Sequence, residues 1–444
     1  MADQHSRREV LQYATAGAAA AAGAMAVPDF ISRSALAAED KPGANDRIII
    51  GFIGCGNRAK QLMDQVPPPG QIVAVSDCYL KRAQDAVAEK HSKWSVYQDY
   101  RQMLDKEKLD AVVIATPDHA RARVSIYACQ AGKDVYAEKP LTAYIAEGRA
   151  IVNAARKHQR VFQVGSQQRT MEVNRVACEF VRDGGLGKIT LVQGISYPGP
   201  KRYTGLPAEE VPEGDNWDVW CGPTELRPFN KDLQFAWMQW RDYSGGEMTN
   251  WGAHGVDQIQ WALGMSHTGP VELWPVSPGT NGKVSMRYAN GVEVRMELSP
   301  RHGPQGGAIF TGEHGKLEIN RNKFTSNPRD LIKNAPSSAK AEAWEGPGWI
   351  ARPHIQNWLE CVKTREKPNA DVEIGHRSIS VCHLLNITRE LGRKLRWDPE
   401  KEQFLDDAEA NTAVSILNRN RSEGFSRRKL RWEFGSRGTR GGGC

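Results

Sequence analysis

A glycine-rich hexapeptide between a short apolar run and a helical pattern constrains this chain most. Arg47 to Ile53 reads as a buried strand; Gly54-Cys55-Gly56-Asn57-Arg58-Ala59 follows, and a helical pattern then runs to Val66, where Pro67-Pro68-Pro69 stops it. A diphosphate needs glycines at such a junction, because a side chain would keep it from the backbone amides, and the helix N-terminus adds partial positive charge. Asp77 ends the next apolar run, Ile72 to Ser76, 21 residues after Gly56. At that spacing a carboxylate can accept hydrogen bonds from ribose hydroxyls. It also disfavours a 2′-phosphate, so NAD is preferred over NADP, with Lys81 and Arg82 nearby as the opposing feature. The plainer alternative is an ordinary strand-to-helix turn with a solvated Asp77.

The chain after this turn keeps alternating. Apolar runs at Ala111 to Ala115, Val135 to Glu138 and Val161 to Gly165 are separated by helical patterns at Leu80 to His91, Ala120 to Ala131 and Thr142 to Lys157. Short buried strands interleaved with helices predict βαβ units and a doubly wound parallel sheet. From about Gln168 the period changes. Lys188 to Tyr197, Val271 to Val276, Gly282 to Tyr288, Gly291 to Leu298, Ala308 to Thr311 and Lys316 to Asn320 read as strands, with a hairpin at Tyr288-Ala289-Asn290-Gly291. Helices are expected near Glu172 to Asp183, Gly246 to Leu263, His354 to Thr364 and Gly375 to Leu395, and an irregular loop at Asn327 to Gly348. The fold class is therefore α/β: an N-terminal Rossmann domain over 41–167, then an α+β domain with a large, mostly antiparallel open sheet over 168–400.

The two ends read differently. Ser6-Arg7-Arg8-Glu9-Val10-Leu11 precedes the alanine- and glycine-rich Ala14 to Ala26, which is too short to span a bilayer. With small residues at Ala35-Leu36-Ala37, residues 1–40 resemble a twin-arginine export signal, which predicts a periplasmic protein. A basic segment before an amphipathic helix is the other reading. The net charge of +7 sits almost wholly in 419–444, which holds eight basic residues against Glu423 and Glu433, so 401–444 is expected to be a basic, irregular tail. A nucleic-acid enzyme would spread that charge along a groove, so no nucleic acid is expected, nor stable membrane insertion. The eight cysteines lack any C-x-x-C, which argues against a zinc ribbon or a disulfide framework.

Two further motifs carry chemistry. Glu138-Lys139-Pro140-Leu141 ends a parallel strand, where side chains reach the ligand cleft, and Thr116-Pro117-Asp118-His119 reaches the same rim. In Gly245-Gly246-Glu247-Met248-Thr249-Asn250-Trp251-Gly252-Ala253-His254-Gly255-Val256-Asp257, Asn250, His254 and Asp257 share a helical face beside small residues that let another surface approach. Histidine, with an ordinary pKa of about 6.5, suits removal of a hydroxyl proton. His254 taken alone reads more readily as a hydrogen-bonded structural histidine. A metal held by His254 and Asp257 would lack a third ligand, so none is expected.

Taken in this order, the motifs resemble the Gfo/Idh/MocA oxidoreductases over roughly residues 47–397. The resemblance implies NAD(P)-dependent redox chemistry at a sugar or polyol carbinol carbon and a C-terminal sheet that supports a homo-oligomer, dimer or tetramer. It implies Lys139 as the contact to the reacting hydroxyl and His254 as the proton acceptor. Asn250 stands where the family usually has aspartate, and an amide can only orient. Cofactor contacts are then expected from Gly54, Gly56, Asn57, Arg58, Asp77, Thr116, Pro117, His119, Glu138 and Lys139, and substrate contacts from Lys139, Arg169, Trp237, Arg241, Asn250, His254 and Asp257. Seven of 13 tryptophans fall between Trp217 and Trp274; most are expected to pack the core, with Trp237 and Trp240, beside Arg241 and Tyr243, the best candidates for a pocket. Two other functions fit the same motifs. One is a glycoside-cleaving enzyme that retains NAD and works through a transient keto-sugar; the other is a non-catalytic ligand-binding relative.

Overall fold

The computed structural model describes residues 46–321, 323–333 and 351–414. Residues 1–45, where an export signal is expected, most of the expected tail over 401–444 and the stretch 334–350 lie outside the described residues.

Six parallel strands form the first sheet: β1 (Ile48–Ile53), β2 (Gly70–Ser76), β3 (Ser95–Tyr97), β4 (Ala111–Ile114), β5 (Asp134–Ala137) and β6 (Phe162–Val164), in the order β3-β2-β1-β4-β5-β6. Helices α1 (Asn57–Met63), α2 (Leu80–Glu89), α3 (Tyr100–Lys106), α4 (Asp118–Gln130) and α5 (Ile145–Lys157) make the connections. β4 and β5 are buried at every residue, which is why they read as unbroken apolar or near-apolar runs. The strand order reverses between β1 and β4, so the crevice of this Rossmann sheet opens at their carboxyl ends. The sequence patterns miss β3 and α3. β3 is a three-residue edge strand with no wholly buried residue, and so has no apolar run to betray it.

The second half contributes α6 (Glu172–Arg182), β7 (Ile189–Ile195), α7 (Trp217–Cys221), α8 (Lys231–Phe235), α9 (Glu247–Asn250), α10 (Gly252–Ala262), β8 (Glu272–Pro275), β9 (Val284–Arg287), β10 (Glu293–Leu298), β11 (Ala308–Gly312), β12 (Gly315–Ile319), β13 (Phe324–Asn327), α11 (Arg352–Thr364), α12 (Val372–Leu391), β14 (Leu395–Asp398), β15 (Gln403–Phe404) and α13 (Ala408–Thr412). Nine strands pair in the order β13-β12-β11-β7-β10-β9-β8-β14-β15. Only β7 and β10 run parallel among the described pairs of this sheet. Along β10, Val294 and Met296 point into the core while Arg295 is exposed, the alternation of a sheet covered on one face. The hairpin at 288–291 forms as expected, with Gly291 at φ 86° and its N–H donating to the Tyr288 carbonyl at 2.9 Å.

Three sequence expectations change here. The helix expected over Gly246 to Leu263 is split at Trp251 into α9 and α10. The helix expected to run to Leu395 stops at Leu391 because Gly392 takes the left-handed conformation of a C-terminal cap, φ 65°, and Leu395 begins β14 instead. The irregular tail does not begin at 401: Phe404 and Ala410 are buried, and the Ala146 N–H donates to the Val414 carbonyl at 3.1 Å. Arg149 on α5 reinforces this closure by holding Glu373 on α12 and Glu402 before β15, each at 2.7 Å. No described helix is long and apolar enough to cross a membrane.

Candidate active site

A cavity of about 510 Å³ opens at the carboxyl ends of β1, β4 and β5 and is closed on its far side by α9, α10 and the residues after β12. Gly54 leaves β1 at φ 86°. A Cβ there would lie 2.8 Å from the Ala115 carbonyl, so only glycine fits, whereas at Gly56 the space is open. Gly56 is also the N-cap of α1 and supplies no capping side chain. Asp77 is anchored from both sides, its carboxylate accepting from the Cys55 N–H at 2.8 Å and the Tyr79 N–H at 3.0 Å. Thr116 lines the same wall, and its buried Oγ1 has no partner among the described residues. A glycine cradle, a fixed carboxylate and an unused hydroxyl fit a dinucleotide.

At the other end of the cavity the two distant motifs meet. Lys139 Nζ donates to Asn250 Oδ1 at 2.8 Å, and Asn250 Nδ2 in turn donates to Glu247 at 3.1 Å. Burial lowers the Lys139 ammonium to about 8, helped by Arg321 and Arg58 and opposed by Glu138 and Asp118. His254 follows one helical turn after Asn250. Burial, then the charges of Arg321, Lys139 and Arg58, push its pKa well below the usual value, so the ring is neutral at ordinary pH. Arg321 Nη1 lies 3.2 Å from His254 Nε2; a guanidinium only donates, so Nε2 is the acceptor nitrogen and the ring proton sits on Nδ1. Glu138 is buried, and although burial works against its charge, Arg58 at 2.8 Å holds it ionised, with Gln167 donating at 2.9 Å. Gly255 on α10 allows the 305–307 loop to come close, since a Cβ would lie 3.0 Å from the Gly307 carbonyl.

Gly54, Gly56, Asn57, Arg58, Asp77, Thr116, Pro117, Glu138, Lys139, Trp237, Asn250 and His254 all line this cavity. Four residues expected there do not. Arg169 and Asp257 face each other instead, at 2.9 Å with side chains 4% and 3% exposed, and Ser378 donates to Asp257 at 2.6 Å. Asp257 lies nearly a turn beyond His254, deep enough to meet the turn after β6 and α12. His119 is packed against Trp220 and Tyr243, its Nε2 2.7 Å from the Trp220 carbonyl. Arg241 lies over the Tyr144 ring and 3.7 Å from Glu390. Trp240 and Tyr243 also belong to the aromatic core rather than the cavity wall, as does Trp217, stacked on Trp220 at 4.4 Å.

Sequence reasoning misses Arg321, Trp220 and Trp251 in the wall. Arg321 follows β12 in a loop without periodicity, and its placement comes from its N–H donating to the Gln305 carbonyl at 2.9 Å. Trp251 stands at the break between α9 and α10, which a continuous helical pattern conceals. No group of three His, Cys, Asp or Glu among the described residues is placed to hold a metal ion.

Comparison with known proteins matches both halves. Residues 48–166 fit the oxidoreductase family's NAD-binding Rossmann fold, and 199–423 its C-terminal alpha/beta domain. Inositol 2-dehydrogenase of Salmonella typhimurium is 28% identical over 149 residues, 33% of this chain and 44% of that enzyme. The scyllo-inositol 2-dehydrogenase (NAD(+)) of Bacillus subtilis is 31% identical over 153 residues, 34% of this chain and 42% of that enzyme. The chain thus spans under half the length of these curated relatives. Among solved structures, the WlbA dehydrogenase of Chromobacterium violaceum, in complex with NADH and UDP-GlcNAcA, superposes with a TM-score of 0.59 at 18% identity, covering 81% of this chain and 98% of that one. That likeness extends the fold match across both sheets. With an NAD-binding Rossmann domain and a C-terminal domain that both match the family models, the chain belongs to the Gfo/Idh/MocA oxidoreductase family.

Proposed function

We propose that this protein is an NAD-dependent dehydrogenase that interconverts a carbinol and a carbonyl on a sugar or polyol. The observation that carries the reading is the junction at Asn250, which binds Lys139 from the Rossmann sheet one helical turn from His254 in the wall of the glycine-cradled cavity. The names of the matched relatives, inositol dehydrogenases, support the substrate class.

When bound, the nicotinamide supplies the two-electron acceptor or donor. The protein's own groups manage the proton and the charge. Neutral His254 takes the hydroxyl proton on its acceptor nitrogen. Lys139, as an ammonium, stabilises negative charge developing on the substrate oxygen, and Asn250 fixes where Nζ sits without competing for the proton. Burial strengthens both interactions by excluding water. Oxidation of a sugar or polyol panel, followed by nicotinamide absorbance, tests the reading; no turnover across the panel would refute it. Stoichiometric NADH release also separates it from the glycoside-cleaving alternative.

The mechanism fixes a pH dependence. Lys139 must be charged and its pKa is lowered to about 8, so kcat/KM is expected to fall as pH rises through that value. His254 must be neutral and its pKa lies well below the ordinary 6.5, so no acid limb is expected near neutrality. Lys139→Gln should abolish the alkaline limb; an unchanged limb would remove Lys139 from that role.

Asp77 supports NAD over NADP. NADH is expected to bind at least about tenfold more tightly than NADPH, the value of a hydrogen bond to a charged acceptor. Fluorescence titration should show Asp77→Ala narrowing that ratio, mainly by weakening NADH. Twin-arginine export, supported by Arg7-Arg8 before the alanine-rich stretch, and a homo-oligomer built on the nine-stranded sheet belong to the same proposal.

A further inference from the structure

The dehydrogenase reading accounts for the groups that move the proton and hold the charge, but not for the residue between two of them. Trp251 separates Asn250 from His254 at the break between α9 and α10. Its N–H donates to the Glu247 carbonyl at 3.0 Å and its carbonyl accepts from the His254 N–H at 3.1 Å, so the indole is mounted on the turn that carries both groups. It does nothing for the helix it starts. At the N-cap of α10 it supplies no capping side chain, where serine, aspartate or asparagine would satisfy a free N–H.

Its side chain belongs to the cavity. Trp251 lines the wall and is 38% exposed. The other two tryptophans of that wall are committed elsewhere: Trp220 is buried in the aromatic core, and Trp237 packs against the same core. A single exposed apolar side chain on a protein surface is ordinary. This one stands beside the base. Its ring centroid lies 5.9 Å from that of His254 in an edge contact, and the Arg321 guanidinium is over the ring at 5.7 Å, a cation–π contact that favours one tilt. The exposed area is what these two neighbours leave uncovered. An indole face can take the C–H face of a six-membered ring whose hydroxyls point outward along the rim. A ring resting there carries its hydroxyls at the edge, and at the edge of the indole is His254. An open-chain polyol has no lasting C–H face and must freeze several C–C rotors to imitate one, which costs affinity.

We propose that Trp251 is the platform on which the substrate ring lies, and that the substrate is a cyclic carbinol with mainly equatorial hydroxyls, a pyranose or a cyclitol, rather than an open-chain polyol. The inference rests on the dehydrogenase reading for the place of the reacting hydroxyl. Trp251 is then a specificity residue whose face selects the ring. Because Trp251, Asn250 and His254 share one turn, platform and proton acceptor keep a fixed relation, so seating the ring also aims its hydroxyl.

The test uses the NADH-loaded protein and calorimetric titration with D-glucose, myo-inositol and D-glucitol, the last being D-glucose reduced to an open chain. At least one ring is expected to bind about 10-fold or more tightly than D-glucitol, the value of burying part of an indole face. Trp251→Leu should bring that ratio near one by weakening the ring alone, with NADH affinity unchanged. Trp251→Phe, which keeps an aromatic face, should retain most of the preference. Ring binding should change the indole emission of the wild type and change that of Trp251→Phe less, a signal that a merely structural tryptophan would not give. Rings that bind the wild type no better than D-glucitol, or an equal loss for all three probes in Trp251→Leu, overturn the inference. In turnover assays with NAD, D-glucitol oxidised as readily as either ring removes the inference but leaves the dehydrogenase reading intact. Ring-selective binding that depends on Trp251, with no oxidation of any probe, keeps the platform and removes the dehydrogenase reading.

Discussion

Lys139→Ala and His254→Ala are each expected to lower turnover by at least about a hundredfold, the lower end of what a positioned proton-transfer group contributes. NADH affinity should change little, since Asp77 is held by the Cys55 and Tyr79 N–H groups and the Gly54 turn by its own backbone, neither depending on these two side chains. The two losses should differ in kind. Removing Lys139 takes away the charge that stabilises the oxyanion, so kcat and kcat/KM fall together. It also leaves Asn250 without its cation, and Lys139→Gln should recover binding better than rate. Removing His254 takes away the proton acceptor, and exogenous imidazole entering the vacated space should restore part of the rate. Stopped-flow measurement of the first turnover separates these from effects on product release. Near-wild-type turnover in either variant would exclude that residue from the chemistry.

Asp257→Ala is expected to cost about 3 to 5 kcal/mol of folding stability, because it strands Arg169 as an uncompensated charge in the interior. Both side chains are almost wholly buried, Ser378 shares the carboxylate, and the Arg169 guanidinium lies over the Trp261 ring at 5.1 Å. Urea unfolding at fixed pH reads the loss directly. The same experiment separates a framework role from a substrate contact. If the pair is framework, Asp257→Asn should lower the urea midpoint while leaving KM nearly unchanged in the protein that remains folded. A raised KM with an unshifted midpoint would return Asp257 to the substrate site.

Much of this architecture is legible in the chain because its signals are local. The Gly54 turn, Asp77, and Glu138 with Lys139 are each fixed by a strand end, so chain spacing locates them. The facing of Asn250 and His254 into one cavity follows from helical spacing even though Trp251 interrupts the helix. The failures have a common physical origin in tertiary choice. Helical spacing puts Asp257 on the right side of α10 but cannot say that Arg169 arrives from the turn after β6 to neutralise it. His119 sits in a motif that reaches the rim, yet its ring turns into the aromatic core beside Trp220. Arg321 has no periodic neighbour, and the pairing of its loop with Gln305, a tertiary contact, helps bring it to the site. β15 and α13 read as tail because their few apolar residues, Phe404 and Ala410, are too sparse to form a pattern.

The ammonium and the glycine cradle come from one half of the chain, whereas the imidazole, the amide and the guanidinium come from the other. A chimera that grafts a different C-terminal half onto this Rossmann sheet should therefore keep the same electron carrier while exchanging the molecule that is turned over, so that diversification in such a scaffold can proceed by swapping the half that holds the base.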